Sequence, residues 1–176
     1  MSNAVGYYNF KKITDLLKEI SNKHKQINSY SIGDIKQLGY YTEERLKQSN
    51  TDNNYAAHYP LMYVIPNQAN TDGRQTKYNF NILVMDILNV KNFDVETDIW
   101  SDTLDICKDI IAAIRWNNIE CYRNWDIVYP ITFTPFSESY DDYVSGWNMD
   151  ITIIIPDAID FCDAPFNPFD PCIENN

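Results

Sequence analysis

Hydrophobic positions near the start of the chain recur every three or four residues, with lysines between them. The apolar positions are Phe10, Ile13, Leu16, Leu17, Ile20 and Ile27. This spacing is that of one face of an α-helix, so it predicts an amphipathic helix over about residues 9–28. A second helix is predicted over residues 97–116, where acidic residues crowd the start, as the helix dipole favours. Its apolar face holds Trp100, Leu104, Cys107, Ile110, Ile111 and Ile114.

Four apolar runs predict β-strands. Their sequences are YPLMYVIP (59–66), YNFNILVMDIL (78–88), DIVYPITFTPF (126–136) and WNMDITIII (147–155). The first two predict an antiparallel pair joined by a long polar loop, and the last two predict a hairpin with a long loop between its strands. In the run from 78 to 88, Asn79 and Asn81 give way to Leu83 and Met85, so one end of that strand should be open and the other covered on both faces.

Proline and turn-forming residues mark the other segments. Pro130 and Pro135 lack the amide hydrogen that an inner strand donates, so their strand is predicted to be an edge strand or to carry a bulge. Residues 29–58 show little periodicity and predict a long connection with one short helix at 42–47. Residues 162–176 are rich in proline and predict an extended tail that follows a single domain over residues 1–161. The order of elements predicts an α+β fold, a small antiparallel or mixed sheet with two main helices on one face.

Charge is unevenly distributed along the chain. Residues 1–50 hold eight Lys or Arg and five Asp or Glu, whereas residues 51–176 hold six and twenty. Sequence-independent binding of nucleic acid needs clustered cations, so the acidic body argues against a direct grip on DNA. It would instead repel DNA, which suits a wall past which DNA moves. No apolar run resembles a signal peptide or is long enough to span a bilayer, so we expect a soluble protein without membrane contact.

The residues that usually carry chemistry are scattered. The cysteines form no metal-binding spacing with His24 or His58, so neither a metal nor a cofactor is predicted, and both histidines are expected to be solvated. Cys107 is expected in the core, while Cys162 and Cys172 could pair but are better explained as free thiols. No phosphate-binding or nucleophile motif occurs, so we do not expect an enzyme.

One acidic stretch, SESYDDYVSGWNMD (137–150), leaves three interpretations open. Its carboxylates are Glu138, Asp141, Asp142 and Asp150, which could bind Ca²⁺ or Mg²⁺, although the spacing differs from that of a calcium-binding loop. The stretch could equally be a solvated turn or a protein contact. Predicted loops also hold many tyrosines, which are common in protein interfaces but also in the products of AT-rich genomes. These are Tyr40, Tyr41, Tyr55, Tyr122, Tyr140 and Tyr143.

The four stretches YPLMYVIP, YNFNILVMDIL, SDTLDICKDIIAAI and PFSESYDDYVSGWNMDITIIIP together resemble the ring-forming neck and tail proteins of tailed bacteriophages. The sequence is most similar to the small ring proteins of crAss-like phages and more distantly to tail terminators, over about residues 59–162. The resemblance implies a tail-terminator-like fold, a homo-oligomeric ring of six or twelve copies in the virion, and no catalytic residue.

The resemblance also implies partners and a contact site. The ring would meet adjacent neck, tail or portal-side virion proteins, and genomic DNA would pass through it without specific binding. The predicted hairpin would form the subunit contact through Glu138, Tyr140, Asp141, Asp142, Tyr143, Gly146 and Trp147. The competing hypothesis is a small cytosolic metal-binding or ligand-binding domain, or an enzyme, that uses the acidic 138–150 loop.

Overall fold

The computed structural model describes residues 9–38, 59–88, 93–120, 125–139 and 143–156. In this part of the chain, a six-stranded mixed sheet carries two long helices on one face. The helices are α1 (Asn9–Lys23) and α2 (Phe93–Glu120). The strands are β1 (Ser29–Ile32), β2 (Leu61–Thr71), β3 (Gln75–Ile87), β4 (Asp126–Ile127), β5 (Thr132–Ser139) and β6 (Tyr143–Pro156). The predicted α+β class is confirmed.

The sheet has the order β1-β2-β3-β6-β4, and β5 pairs with β6 next to β4. β1 runs parallel to β2, and every other pair is antiparallel. Among the described strands, β5 pairs only with β6, and Pro135 lies within it. The edge position predicted from the prolines is therefore confirmed, because a strand with one open side can lack an amide hydrogen there without losing a ladder bond.

The main core lies between the helices and the sheet. Its sheet side includes Phe80, Ile82 and Val84 of β3, and burying such side chains contributes about 1.5–3 kcal/mol each. A smaller cluster on the opposite face contains Leu83 and Met85 of the same strand. On the face of β3 that bears no helix, the residues therefore change from polar to apolar for the reason predicted: only one end of that face is covered. Cys107 is fully buried in the main core, as predicted, and burial raises the pKa of its thiol to about 12.

The loop predicted at residues 67–77 is wrong. β2 continues to Thr71 and β3 starts at Gln75, so only a tight turn joins them. Asp72 closes the turn by accepting hydrogen bonds from the backbone N–H groups of Arg74 (2.9 Å) and Gln75 (3.0 Å), which lower the pKa of its carboxyl. Gly73 has φ of 87°, which favours glycine. The Asp-Gly pair was a hairpin signal that the polar composition of the stretch obscured.

The connection predicted at residues 29–58 contains a strand. β1 is only four residues long, and it is held by pairing with β2 some thirty residues later, so its own sequence carries little strand signal. A helical turn at residues 35–38 follows it. The short helix predicted at 42–47 and His58 lie outside the described residues, as do residues 157–176 with Cys162 and Cys172.

Both helices differ in length from their predicted ranges. α1 ends at Lys23, and Ile27 is buried beyond its end. α2 extends the predicted range at both ends and is about 42 Å long at 1.5 Å per residue. The prediction that His24 is solvated is wrong. Its side chain is 15% exposed, and its Nε2 lies 3.2 Å from Asp109 Oδ2 on α2. Within the described residues, no helix combines the length and apolar character needed to cross a bilayer.

Candidate functional site

The predicted contact hairpin is formed by β5 and β6. Their pairing runs from Thr132 opposite Asp150 to Ser139 opposite Tyr143, so only residues 140–142 join the strands. The long loop predicted between the strands at 126–136 and 147–155 is therefore wrong, because β5 extends to Ser139 and β6 already starts at Tyr143, which places Gly146 inside a strand. Trp147 lies in a strand, as predicted. Tyr140, Asp141 and Asp142 lie outside the described residues. Tyr143 starts β6 and is 42% exposed, as expected of a residue near the hairpin tip.

The carboxylates of the acidic stretch are spread along this hairpin. Glu138 pairs with Val144 near the tip, whereas Asp150 pairs with Thr132 at the far end. Six residues of strand separate the two positions, about 20 Å at 3.3 Å per residue. Asp150 Oδ1 instead accepts a hydrogen bond from Asn81 Nδ2 at 2.5 Å. Within the described ranges, no three side chains of His, Cys, Asp or Glu converge as a metal site requires.

Gly146 lies in β6 where the backbone of β3 leaves no room for a side chain. It pairs with Met85, and a Cβ atom at residue 146 would lie 2.8 Å from Met85 Cα and 2.9 Å from the carbonyl carbon of Val84. It would also overlap the Val84 carbonyl oxygen. Real Cβ atoms do not approach backbone atoms so closely, so only glycine fits here. The sequence identified Gly146 as a contact residue, but its role in this structure is to let two central strands approach.

Trp147 fastens the hairpin to the helix layer. Its ring packs against the main core, and its Nε1 donates a hydrogen bond to the carbonyl oxygen of Trp100 on α2 at 2.7 Å. Trp147 is half-buried, so most of its surface is committed within the subunit. Its partner Trp100 has a buried Nε1 without an acceptor among the described residues. Trp147 therefore anchors the hairpin to α2 within the subunit, and its predicted role in a subunit contact stays a prediction.

A second anchor joins the hairpin to the first turn of α2. Ser145 is fully buried, and its hydroxyl oxygen lies 3.1 Å from Ser137 Oγ and 3.3 Å from Glu96 Oε1. Ser137 also donates a hydrogen bond to Glu96. His24 contacts Asp109, thirteen residues further along the helix, so it lies about 20 Å from Glu96. Among the described residues, the two serines thus lie beside a carboxylate but not beside an imidazole, which a serine nucleophile usually needs. Their hydrogen bonds instead connect β5 and β6 to α2.

Asp86 of β3 is a partly buried carboxylate whose pKa is raised. Burial raises its pKa above the usual value, and the charge of Asp102 raises it further, against the opposing effect of a hydrogen bond from the backbone N–H of Ile87. The folded protein therefore binds this proton more tightly than the unfolded chain does. Stability contributed by the protonated carboxyl is complete below the unfolded pKa of about 3.8 and is lost as pH rises through the folded pKa.

The substitution Asp86→Asn should consequently raise the free energy of unfolding at pH 7, because it removes a charge that the fold disfavours. The gain should shrink as pH falls toward 3.8 and vanish below it. Urea denaturation of both proteins across this pH range measures the difference. Asp98→Asn, on the exposed face of α2, controls for the general effect of removing one negative charge. A gain independent of pH would contradict the assignment.

Polar side chains cover the end of the sheet face that bears no helix. Asn67 donates a hydrogen bond to Asn81, and Thr152 Oγ1 donates one to Asn79 Oδ1 at 2.6 Å. An open depression of about 480 Å³ beside them is lined by Pro66, Asn67, Gln68 and Asn79. These amides use much of their hydrogen-bonding capacity on one another, so the face is polar, mostly uncharged and internally satisfied.

The exposed side of α2 is acidic. Its aspartates recur every three or four residues and so form one stripe: Asp94, Asp98, Asp102, Asp105 and Asp109. Lys108 pairs with Asp105 at 2.8 Å, and both side chains are largely exposed. The overall negative charge read from the sequence thus has a defined location on the helix layer.

Comparison with known proteins does not identify a relative. No protein-family model matches the sequence, and no curated protein is significantly similar to it.

Proposed function

We propose that this protein is a structural subunit of a homo-oligomeric ring in the neck or tail of a tailed bacteriophage. The ring would connect the portal side of the head to the tail, contact adjacent virion proteins and surround the path of the genomic DNA. The sequence resemblance over residues 59–162 motivates this proposal. The structural observation that supports it is the β5–β6 hairpin, which is held against α2 near the end where residues 140–142 join its two strands.

The hairpin is held in one orientation within the sheet, because β6 also pairs with β3 from Val144 to Pro156. Trp147 and the group of Ser137, Ser145 and Glu96 connect it to α2, so its orientation does not depend on the tip residues. A contact element that is already ordered loses little conformational entropy when it binds a neighbour. A hairpin held in this way therefore suits a subunit that must join identical copies in one geometry.

The distribution of charge supports a position around DNA. The acidic stripe on α2 and the excess of acidic residues after residue 50 would repel the phosphate backbone. A conduit wall of this kind keeps DNA mobile during packaging and ejection. The competing metal-binding hypothesis requires convergent carboxylates, whereas Glu138 and Asp150 occupy opposite ends of the paired strands.

Reversing charge at the hairpin tip tests the proposal. The double variant Asp141→Lys/Asp142→Lys should lose ring assembly while the subunit stays folded, because the anchors of the hairpin are untouched. Native mass spectrometry reports the assembly, and circular dichroism with thermal denaturation reports the fold.

The neutral variant Asp141→Asn/Asp142→Asn is the matched control, since it keeps side-chain size and removes only charge. It should fall between the parent and the lysine variant. If the lysine variant assembles as the parent does, the tip is a solvated turn. If a chelator dissociates or unfolds the parent, the metal-binding hypothesis gains instead.

A further inference from the structure

The sheet ends in two different margins. The β1 margin consists of β1, the helical turn at 35–38 and the flank of α1 above them. The β5 margin consists of β4, β5 and the segment between them. Among the described strands, β1 pairs only with β2, whereas β4 and β5 pair only with β6. The two margins therefore lie at opposite ends of the sheet and offer unlike surfaces.

Each margin exposes a pair of large apolar side chains. Ile32 and Ile35 are 38% and 56% exposed at the β1 margin. Val128 and Tyr129 are 37% and 55% exposed at the β5 margin, where the Val128 N–H still donates to the carbonyl oxygen of Thr152 on β6. Large apolar side chains of β2, β3 and β6 are buried or partly buried, apart from Tyr143 at the start of β6. The margins thus have the apolar centre that a protein contact requires.

The β1 margin belongs to a segment with an excess of positive charge. Residues 9–38 contain six lysines and three acidic residues. Asp34 and Lys36 flank Ile35, and both are exposed. Tyr30 of β1 donates a hydrogen bond to the carbonyl oxygen of Thr14 at 3.4 Å, which places this side of α1 over β1. Lys18 lies one helical turn further along the same side, so its charge belongs to this margin.

The β5 margin is acidic. β4, β5 and the segment between them contain Asp126 and Glu138 and no lysine or arginine. Asp126 is exposed and lies two residues before Val128. The β5 margin therefore carries a net negative charge, whereas the segment that holds the β1 margin has a net positive charge, so two β5 margins would repel each other.

We propose that the β1 margin of one copy packs against the β5 margin of the next. This inference rests on the proposed ring and identifies the surfaces that would close it. Ile32 and Ile35 would meet Val128 and Tyr129, with lysines of one copy facing acidic residues of the other. Such a contact is heterologous, and repeated head to tail it generates a ring when the rotation closes. Pro130 and Pro135 remove amide donors near the β5 edge, so side chains rather than a continuous strand ladder would dominate the contact.

Two single variants test this arrangement. Ile35→Asp and Tyr129→Asp each place an unpaired charge at the centre of one margin. Each variant alone should be monomeric, with a dissociation constant raised about 100-fold or more, because burying an unpaired charge costs several kcal/mol and each 1.4 kcal/mol is tenfold. Mixed in equal amounts, the two variants should form heterodimers and nothing larger, since each retains one intact margin. Native mass spectrometry measures the species.

A control variant and a pair of charge-reversal variants show whether a loss of assembly comes from the contact or from a folding defect. Asn70→Asp adds the same charge at an exposed position of β2 away from both margins and should assemble as the parent does. Lys36→Glu and Asp126→Lys should each weaken association several-fold at low salt, and the two combined in one chain should restore it. Without restoration, charge pairing between the margins is excluded.

The outcomes separate this inference from the proposed ring. If the parent forms closed rings and Ile35→Asp or Tyr129→Asp assembles equally well, the margins are not the contact, and the ring proposal stands. If one of these variants still forms homodimers alone, the contact is isologous and the inference is wrong. A parent that stays monomeric up to its solubility limit contradicts both proposals.

Discussion

The variant Gly146→Ala should lose about 3 kcal/mol or more of unfolding free energy, at or beyond the upper end of the usual cost of overpacking. The added methyl group would overlap the backbone of Val84 and Met85 in the central pair of strands. Backbone atoms cannot rotate away as a flexible side chain can, so β6 must move away from β3. The expected fall in melting temperature is about 6–12 °C for a protein of this size.

Gly73→Ala is the matched control for this prediction. No atom lies within 4 Å of the position that a Cβ would take at Gly73, so the only cost there is the positive φ of 87°. That cost is about 1–2 kcal/mol. Thermal and urea denaturation of both variants should therefore rank Gly146→Ala well below Gly73→Ala. Equal stability of the two variants would show that the central strands can separate at this pair without penalty.

The second large effect is expected at Trp147. Trp147→Ala should cost about 3–5 kcal/mol of stability in the isolated subunit, because it removes an aromatic ring from the core and the hydrogen bond to Trp100. Trp147→Phe keeps most of the packing and should cost only about 0.5–1.5 kcal/mol for the lost hydrogen bond. Urea denaturation gives both values.

Trp116 is a control that separates the loss of the anchor at Trp147 from the loss of any tryptophan. Trp116 is 65% exposed on the same helix that Trp147 contacts, so Trp116→Ala should change stability by no more than about 0.5 kcal/mol. If Trp147→Ala is as stable as the parent but fails to assemble, Trp147 is a contact residue, as the sequence first indicated. Loss of stability in the monomer assigns it to the fold.

Periodicity was sufficient to predict the parts of the fold that are buried on one face. The alternation in β6 and the helical spacing in α2 follow directly from packing between the sheet and the helices, so both elements were found. β1 was missed because its pairing partner lies thirty residues away and its four residues carry no period of their own. Its position depends on tertiary contacts that local sequence does not encode.

The candidate site was predictable in composition but not in geometry. The sequence marked Gly146 and Trp147 as unusual residues beside an acidic stretch and placed Trp147 at the start of a strand, yet it could not show that Gly146 lies inside the same strand. Clustering along the chain suggested that Glu138 and Asp150 act together, whereas strand geometry separates them. The anchoring serines gave no signal, because Ser137 and Ser145 become a pair only when the hairpin forms.

The order of the strands in the sheet has a consequence for synthesis. β6 is the last described strand to leave the ribosome, but it occupies an inner position, between β3 on one side and β4 and β5 on the other. Its pairing with β3 joins residues as far apart as Gln75 and Pro156. Until β6 emerges, β3 lacks a neighbour along one edge, and the sheet cannot complete its core. Folding of the nascent chain must therefore wait for its final third, and release before that point would leave an open, aggregation-prone edge.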